Sequence, residues 1–348
     1  MVKLNSILML MLLSLPGVPA LAVDIKGAGS SAALPLYENW AKAYMDTSRD
    51  FVTYEGAGST AGLKKVKEYA VDFGASDIAI APTDSDSKVL VCVPTSITGV
   101  VPFVNLPGFR PGQLNLSGSV LADIYAGKIK VWNDSAIAAL NPGKSLPALP
   151  IYTVARIEGS GTTYVFTDFL SKTSPEWHDN FGTNLIVPWA DSVHKVKGST
   201  GVIAEVKKNS GAIGYVDYGY SLQEHLTYVS LLNRDKKMVE PTFAGFNSAL
   251  TNSDWKTKAN FEEILTDRPG PETWPITTAT FILIPRVTLT PEKTIAVMKF
   301  ISWGFLHGDE IARKVGYVRL IDPLQAKVFS ILLTVTDKNG QTLKWTPF

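Results

Sequence analysis

The sequence predicts an α/β protein built on a largely parallel sheet, and three observations support this. Strand-like and helix-like segments alternate from residue 24 onward, and the early strands run into glycine-rich turns. The composition is that of a folded globular chain, 45% hydrophobic and 19% charged. A length of 348 residues corresponds to about two domains.

The elements follow in order. Residues 1–22 combine Lys3, an apolar run from Ile7 to Leu15, the breakers Pro16 and Gly17, and small residues at Ala20 and Ala22. This is the pattern of a secretory signal peptide cleaved after Ala22, and its apolar run is shorter than the roughly 20 residues that span a bilayer. Asp24 to Lys26 forms a short strand ending at Gly27. Ala32 to Met45 carries Leu34, Leu36, Tyr37, Trp40, Ala43 and Tyr44 near helical spacing. Phe51 to Tyr54 is a second strand, Thr60 to Tyr69 a second helix, and Val71 to Asp77 a third strand. Two further apolar segments, Thr98–Val104 and Ala279–Ile284, enclose a stretch the size of a domain. They fit equally a pair of strands joining two lobes or two core strands of one domain.

Several function classes are excluded early. Lys and Arg total 33 against 32 Asp and Glu, and the balance is even once Lys3 is removed, which argues against nucleic acid as a partner. Cys92 is the only cysteine, so neither an intrachain disulfide nor a cysteine-based zinc site can form. The four histidines show no metal-ligand spacing. A secreted chain with one cysteine fits the bacterial periplasm. No cofactor is expected.

The chemistry lies in a recurrence. Gly27-Ala28-Gly29-Ser30-Ser31, Gly56-Ala57-Gly58-Ser59-Thr60 and Gly159-Ser160-Gly161-Thr162-Thr163 each precede a helix. Glycine allows close backbone approach, Ser or Thr supplies a cap and a hydroxyl, and a helix N-terminus offers free N–H groups to an anion. Any one such junction is ordinary capping; three converging would hold a tetrahedral oxyanion with neutral donors. A fourth look-alike, Gly198-Ser199-Thr200-Gly201, is read as a cap. Arg156 could grip two anion oxygens, or form an ion pair with Glu158. Asp77 would repel a fully ionised anion but accept a hydrogen bond from a protonated one, which separates phosphate from sulfate. Ser85-x-x-Lys88 and Ser192-x-x-Lys195 match a short motif of some acyl-transfer enzymes, so a secreted hydrolase is the rival class.

At these residues the chain resembles the periplasmic phosphate-binding proteins of bacterial ABC transporters. The resemblance extends through Val71–Asp77, Gly99–Gly108, Asp123–Lys130 with Trp132, Leu140–Gly143, Gly211–Val216 and Trp274–Thr277. It implies a two-lobed class II fold, each lobe a mixed sheet flanked by helices, joined by a two-strand hinge. Residues 23–101 and 282–348 would form one lobe and 102–281 the other. It places the phosphate ligands at Ser31, Ala32, Ser59, Asp77, Arg156, Ser160, Gly161 and Thr162, with no catalytic residue. Ser31 stands where Thr is common, Ala32 where Phe is common and Glu158 where Asp is common; the segment after Gly316 matches less well. The implied partners are inorganic phosphate and a membrane permease, the receptor being a monomer. A binder of another tetrahedral oxyanion is the alternative within this class.

Overall fold

The computed structural model describes residues 22–258 and 261–346. The expected signal peptide therefore lies, apart from Ala22, outside the described residues. The first half runs β1 (Asp24–Gly29), a 3-10 turn over Ser31–Ala33, α1 (Leu34–Ser48), β2 (Phe51–Glu55), α2 (Ser59–Lys67), β3 (Phe73–Ser76) and β4 (Leu90–Asn105). After β5 (Asn115–Leu116) come α3 (Gly118–Tyr125), α4 (Ser135–Leu140), β6 (Tyr152–Arg156), α5 (Gly161–Thr173), α6 (Pro175–Asn180), β7 (His194–Val196), α7 (Gly198–Lys208), β8 (Ala212–Asp217) and α8 (Tyr218–Gln223). The short strands β9 (Thr227–Tyr228), β10 (Ser230–Leu232) and β11 (Met238–Val239) lead to α9 (Phe243–Thr251) and then to β12 (Thr277–Pro285). The chain ends with β13 (Val287–Thr288), α10 (Pro291–His307), α11 (Asp309–Lys314), α12 (Asp322–Leu332) and β14 (Thr336–Asp337).

The main strands follow the order β2-β1-β3-β12-β4-β8-β6-β7. At one end β1 is parallel to β2 and β3; at the other β6 is parallel to β7 and β8. The centre is antiparallel, because β12 runs against both β3 and β4, and β4 runs against β8. The sheet is thus mixed, and parallel only in its two ends. The apolar segments read from sequence belong to longer strands: β4 has 16 residues, pairing with β12 through Gly99 and with β8 from Val100. The register between β4 and β12 slips beside Thr280, where Thr95 Oγ1 donates to the Thr280 carbonyl at 3.0 Å.

Each end of the sheet carries its own aromatic packing. Tyr37 of α1 meets Tyr54 edge-on at 5.1 Å and Phe73 at 6.1 Å. On the other side Phe166 of α5 stacks on Tyr215 at 4.2 Å and meets Tyr125 at 5.0 Å. Burying such side chains stabilises each lobe by about 1.5–3 kcal/mol apiece. Glycine sets how closely α2 lies on the sheet. A Cβ at Gly62 would sit 2.5 Å from Gly29 Cα and 2.8 Å from the Ala75 carbonyl oxygen.

Where β8 ends, the fully buried Asp217 ties three segments together. Its carboxylate accepts from Thr98 Oγ1 of β4 at 2.9 Å, from the Gly219 N–H at 2.8 Å and from Tyr317 Oη at 3.1 Å. The single Tyr317 hydroxyl proton is shared between Asp217 and the Ala32 carbonyl, which lies within reach of the same oxygen. Burial raises the carboxyl of Asp217 to about 8; its hydrogen bonds act against that rise and the charge of Asp77 adds to it.

Two outcomes follow. Gly62→Ala, despite the better helix propensity of alanine, is expected to destabilise the protein by about 1–3 kcal/mol through overpacking, seen as a lower urea midpoint. The native state holds a proton on Asp217 that the unfolded chain releases near 3.8, so its contribution to stability falls as pH rises from about 4 to about 8. Asp217→Asn should remove that slope: unfolding midpoints of the wild type and variant, compared at pH 5 and pH 8.5, should shift in the variant's favour at the higher pH.

Candidate anion-binding site

Parallel strands deliver their C-terminal ends to one edge, and because the two ends of this sheet run in opposite directions, both sets of strand tips face each other across the Gly99–Val100 stretch of β4. Here β1 leads into Ser30 and Ser31, β2 into Ser59, β3 into Asp77, β6 into Arg156 and Ser160, and β7 into Ser199. All of these residues are buried.

The first cluster centres on Asp77. Ser30 Oγ donates to Asp77 Oδ1 at 2.5 Å, and Thr162 Oγ1 donates to Oδ2 at 3.1 Å. Ser59 Oγ accepts from the Gly161 N–H at 3.2 Å and from the Asp77 N–H at 3.4 Å. Burial pushes the Asp77 carboxyl up; the bonds from Ser30 and Thr162 and the charge of Arg156 oppose that rise. A carboxylate offers about four acceptor positions, so two hydroxyls do not exhaust it.

The second cluster centres on Arg156. One oxygen of Glu158, Oε1, accepts from Arg156 Nε at 2.6 Å and also from Nη2. The same oxygen accepts from the Gly198 N–H at 3.1 Å. Burial works against the charged form of Glu158, but the bonds and charge of Arg156 and the backbone N–H groups outweigh it and hold the carboxyl below its ordinary value. The remaining arm, Nη1, points to Ser199 Oγ at 3.4 Å, and Ser199 Oγ lies 3.0 Å from Ser31 Oγ. The ion pair with Glu158 and the proximity to the hydroxyl clusters therefore coexist in one guanidinium.

The residues singled out by sequence are thus brought into two adjoining networks, with differences of detail. The Ala32 N–H, expected to face the anion, donates to Ser30 Oγ at 3.1 Å. Ser160 Oγ caps α5 by accepting from the Thr163 N–H at 3.2 Å. The hydroxyl that reaches Asp77 from the first junction belongs to Ser30, the neighbour of the residue favoured by sequence. The fourth junction is not a cap: α7 has no side-chain cap, and the Ser199 hydroxyl points to Arg156 and Ser31. Its Gly-Ser-Thr spacing matched the other three and was the signal available in the sequence. The serines and lysines of both Ser-x-x-Lys segments are exposed on the surface.

Glycines let the loops from the two ends of the sheet approach closely here. A Cβ on Gly58 would lie 2.9 Å from the Gly159 carbonyl oxygen; on Gly159, 2.1 Å from Thr60 Oγ1; on Gly161, 2.5 Å from Ser59 Oγ.

The chain is similar to known proteins over most of its length. The model of the PBP superfamily domain matches residues 17–306. The phosphate-binding protein PstS of Pasteurella multocida is 39% identical over 97% of this chain and 98% of its own length. That of Haemophilus influenzae is 40% identical over 90% and 92%. Among solved structures, a high-affinity periplasmic phosphate-binding protein, PfluDING, determined with phosphate bound, shares the fold with a TM-score of 0.71 at 18% identity, covering 93% of this chain and 97% of that one. On the length and identity of these matches, the chain belongs to the PstS family of phosphate-binding proteins, within the PBP superfamily.

Proposed function

We propose that this chain captures inorganic phosphate between its two lobes and delivers it to the membrane permease of an ABC transporter, without altering it chemically. The observation that carries the reading is the buried Asp77 carboxylate set among hydroxyl and N–H donors from three strand-to-helix junctions. Donors alone would suit any oxyanion. An ionised carboxylate among them favours an anion that brings its own proton, which phosphate does at neutral pH and sulfate does not. The near-40% identity of relatives named for phosphate binding supports the same choice.

The ligands are Ser31, Ala32, Ser59 and Asp77 from one lobe and Arg156, Ser160, Gly161 and Thr162 from the other. Lobe one comprises residues 23–101 and 282–348, lobe two residues 102–281, and β4 and β12 carry the chain between them. Phosphate bridging the lobes favours the closed arrangement through contacts that closure completes. Residues 1–22 direct the chain to the periplasm and are removed there, leaving a monomeric receptor. A receptor that binds and releases needs no nucleophile, and the surface positions of the two Ser-x-x-Lys segments do not favour a hydrolase.

Calorimetry tests the assignment. The wild type should bind phosphate and discriminate against sulfate; Asp77→Asn should narrow that discrimination by about 10- to 100-fold, the worth of one hydrogen bond to a charged group. Equal wild-type affinity for the two anions would falsify the role given to Asp77. Arg156→Ala should weaken phosphate binding by at least about tenfold while the ligand-free protein retains its circular dichroism; an unchanged dissociation constant removes Arg156 from the site.

A further inference from the structure

Ser199 is 2% exposed, and its hydroxyl leaves its own helix to meet two groups from elsewhere in the site. A serine in the first turn of a helix ordinarily turns back to bond a backbone N–H. Ser199 instead lies between Arg156 Nη1 at 3.4 Å and Ser31 Oγ at 3.0 Å. Its position is fixed from behind, because the Glu158 oxygen that holds Arg156 also takes the N–H of Gly198. The φ of +74° at Gly198 provides the turn that starts α7 there.

Proton counting assigns the direction of these bonds. A guanidinium N–H can only donate, so Ser199 Oγ accepts from Arg156. The Ser199 and Ser31 hydroxyls have one proton each, and the bond between them uses one. The other is left to point outward, polarised by the adjacent guanidinium, and its natural partner is an oxygen bearing charge and no proton.

We propose, building on the phosphate-capture reading, that Ser199 is a further binding residue and forms with Ser31 a single relay from Arg156 to an unprotonated oxygen of the bound anion. The site then has two chemically opposite ends: Asp77 accepts from the protonated oxygen of hydrogen phosphate, and the Ser199–Ser31 pair donates to a bare one. The fourth glycine-serine junction thereby joins the other three.

The test is a double-mutant cycle read by calorimetric titration with inorganic phosphate. Ser199→Ala should weaken binding about tenfold, as expected for one hydrogen bond, and Ser199→Thr, which keeps the hydroxyl, should remain near the wild type. Because one relay is broken either way, Ser199→Ala combined with Ser31→Ala should lose little more than the worse single variant. A Ser199→Ala affinity within twofold of the wild type overturns the proposal, as does full additivity with Ser31→Ala. No phosphate uptake by the wild type itself overturns the underlying reading as well, which keeps the two failures distinct. Ligand-free melting curves check the fold. Should the alanine variant not fold, Ser199→Cys, close in volume and a weak hydrogen-bonding group, gives the same readout.

Discussion

A carboxylate removed from water must be compensated by hydrogen bonds, and Asp77 meets that requirement by drawing on junctions at both ends of the sheet. Ser30 satisfies one oxygen from the first junction and Thr162 the other from the third. Its own N–H rests on Ser59 Oγ, which in turn receives the Gly161 N–H. The two ends of the sheet therefore meet through a shared polar centre at three loop-to-helix junctions. Two hydroxyls leave acceptor positions on the carboxylate unfilled, and the bonds from Ser30 and Thr162 with the charge of Arg156 oppose the rise that burial imposes on it.

The sheet explains why those helices begin at the same place. Within each end the strands are parallel and deliver their following loops to one edge, and the three antiparallel pairings between β3 and β8 turn those two edges toward each other. The antiparallel centre, β12 against β3 and β4, belongs to the two strands by which the chain crosses between the ends. Asp217 reinforces the crossing from the side by binding Thr98 of β4 and Tyr317 together. Tyr317 in turn reaches the carbonyl of Ala32, so the segment after Gly316 supports the first junction through the backbone.

Much of this was legible in the chain because local chemistry encodes it. Glycine followed by Ser or Thr before an apolar helical stretch marks a junction whatever the tertiary fold, and the two long apolar strands announced themselves by composition. What was not legible depended on side-chain direction. Ser30 and Ser31 are neighbours with the same hydroxyl, and only the 3-10 turn over Ser31–Ala33 decides which one reaches Asp77. Ser199 looked like a cap because capping is local, whereas its partners lie 168 and 43 residues away. The family resemblance implied a mixed sheet, but the alternation of strands and helices alone read as largely parallel, because strand direction at the centre is set by pairing between β4 and β12, which are far apart in sequence.

The glycines at Gly58, Gly159 and Gly161 bear on how such a receptor can change over evolutionary time. Each leaves room for an atom of the opposing lobe: the Gly159 carbonyl at Gly58, the Thr60 hydroxyl at Gly159 and the Ser59 hydroxyl at Gly161. No one of these positions can acquire a side chain unless its counterpart across the cleft retreats at the same time. Drift at the mouth of the site must therefore proceed by paired substitution.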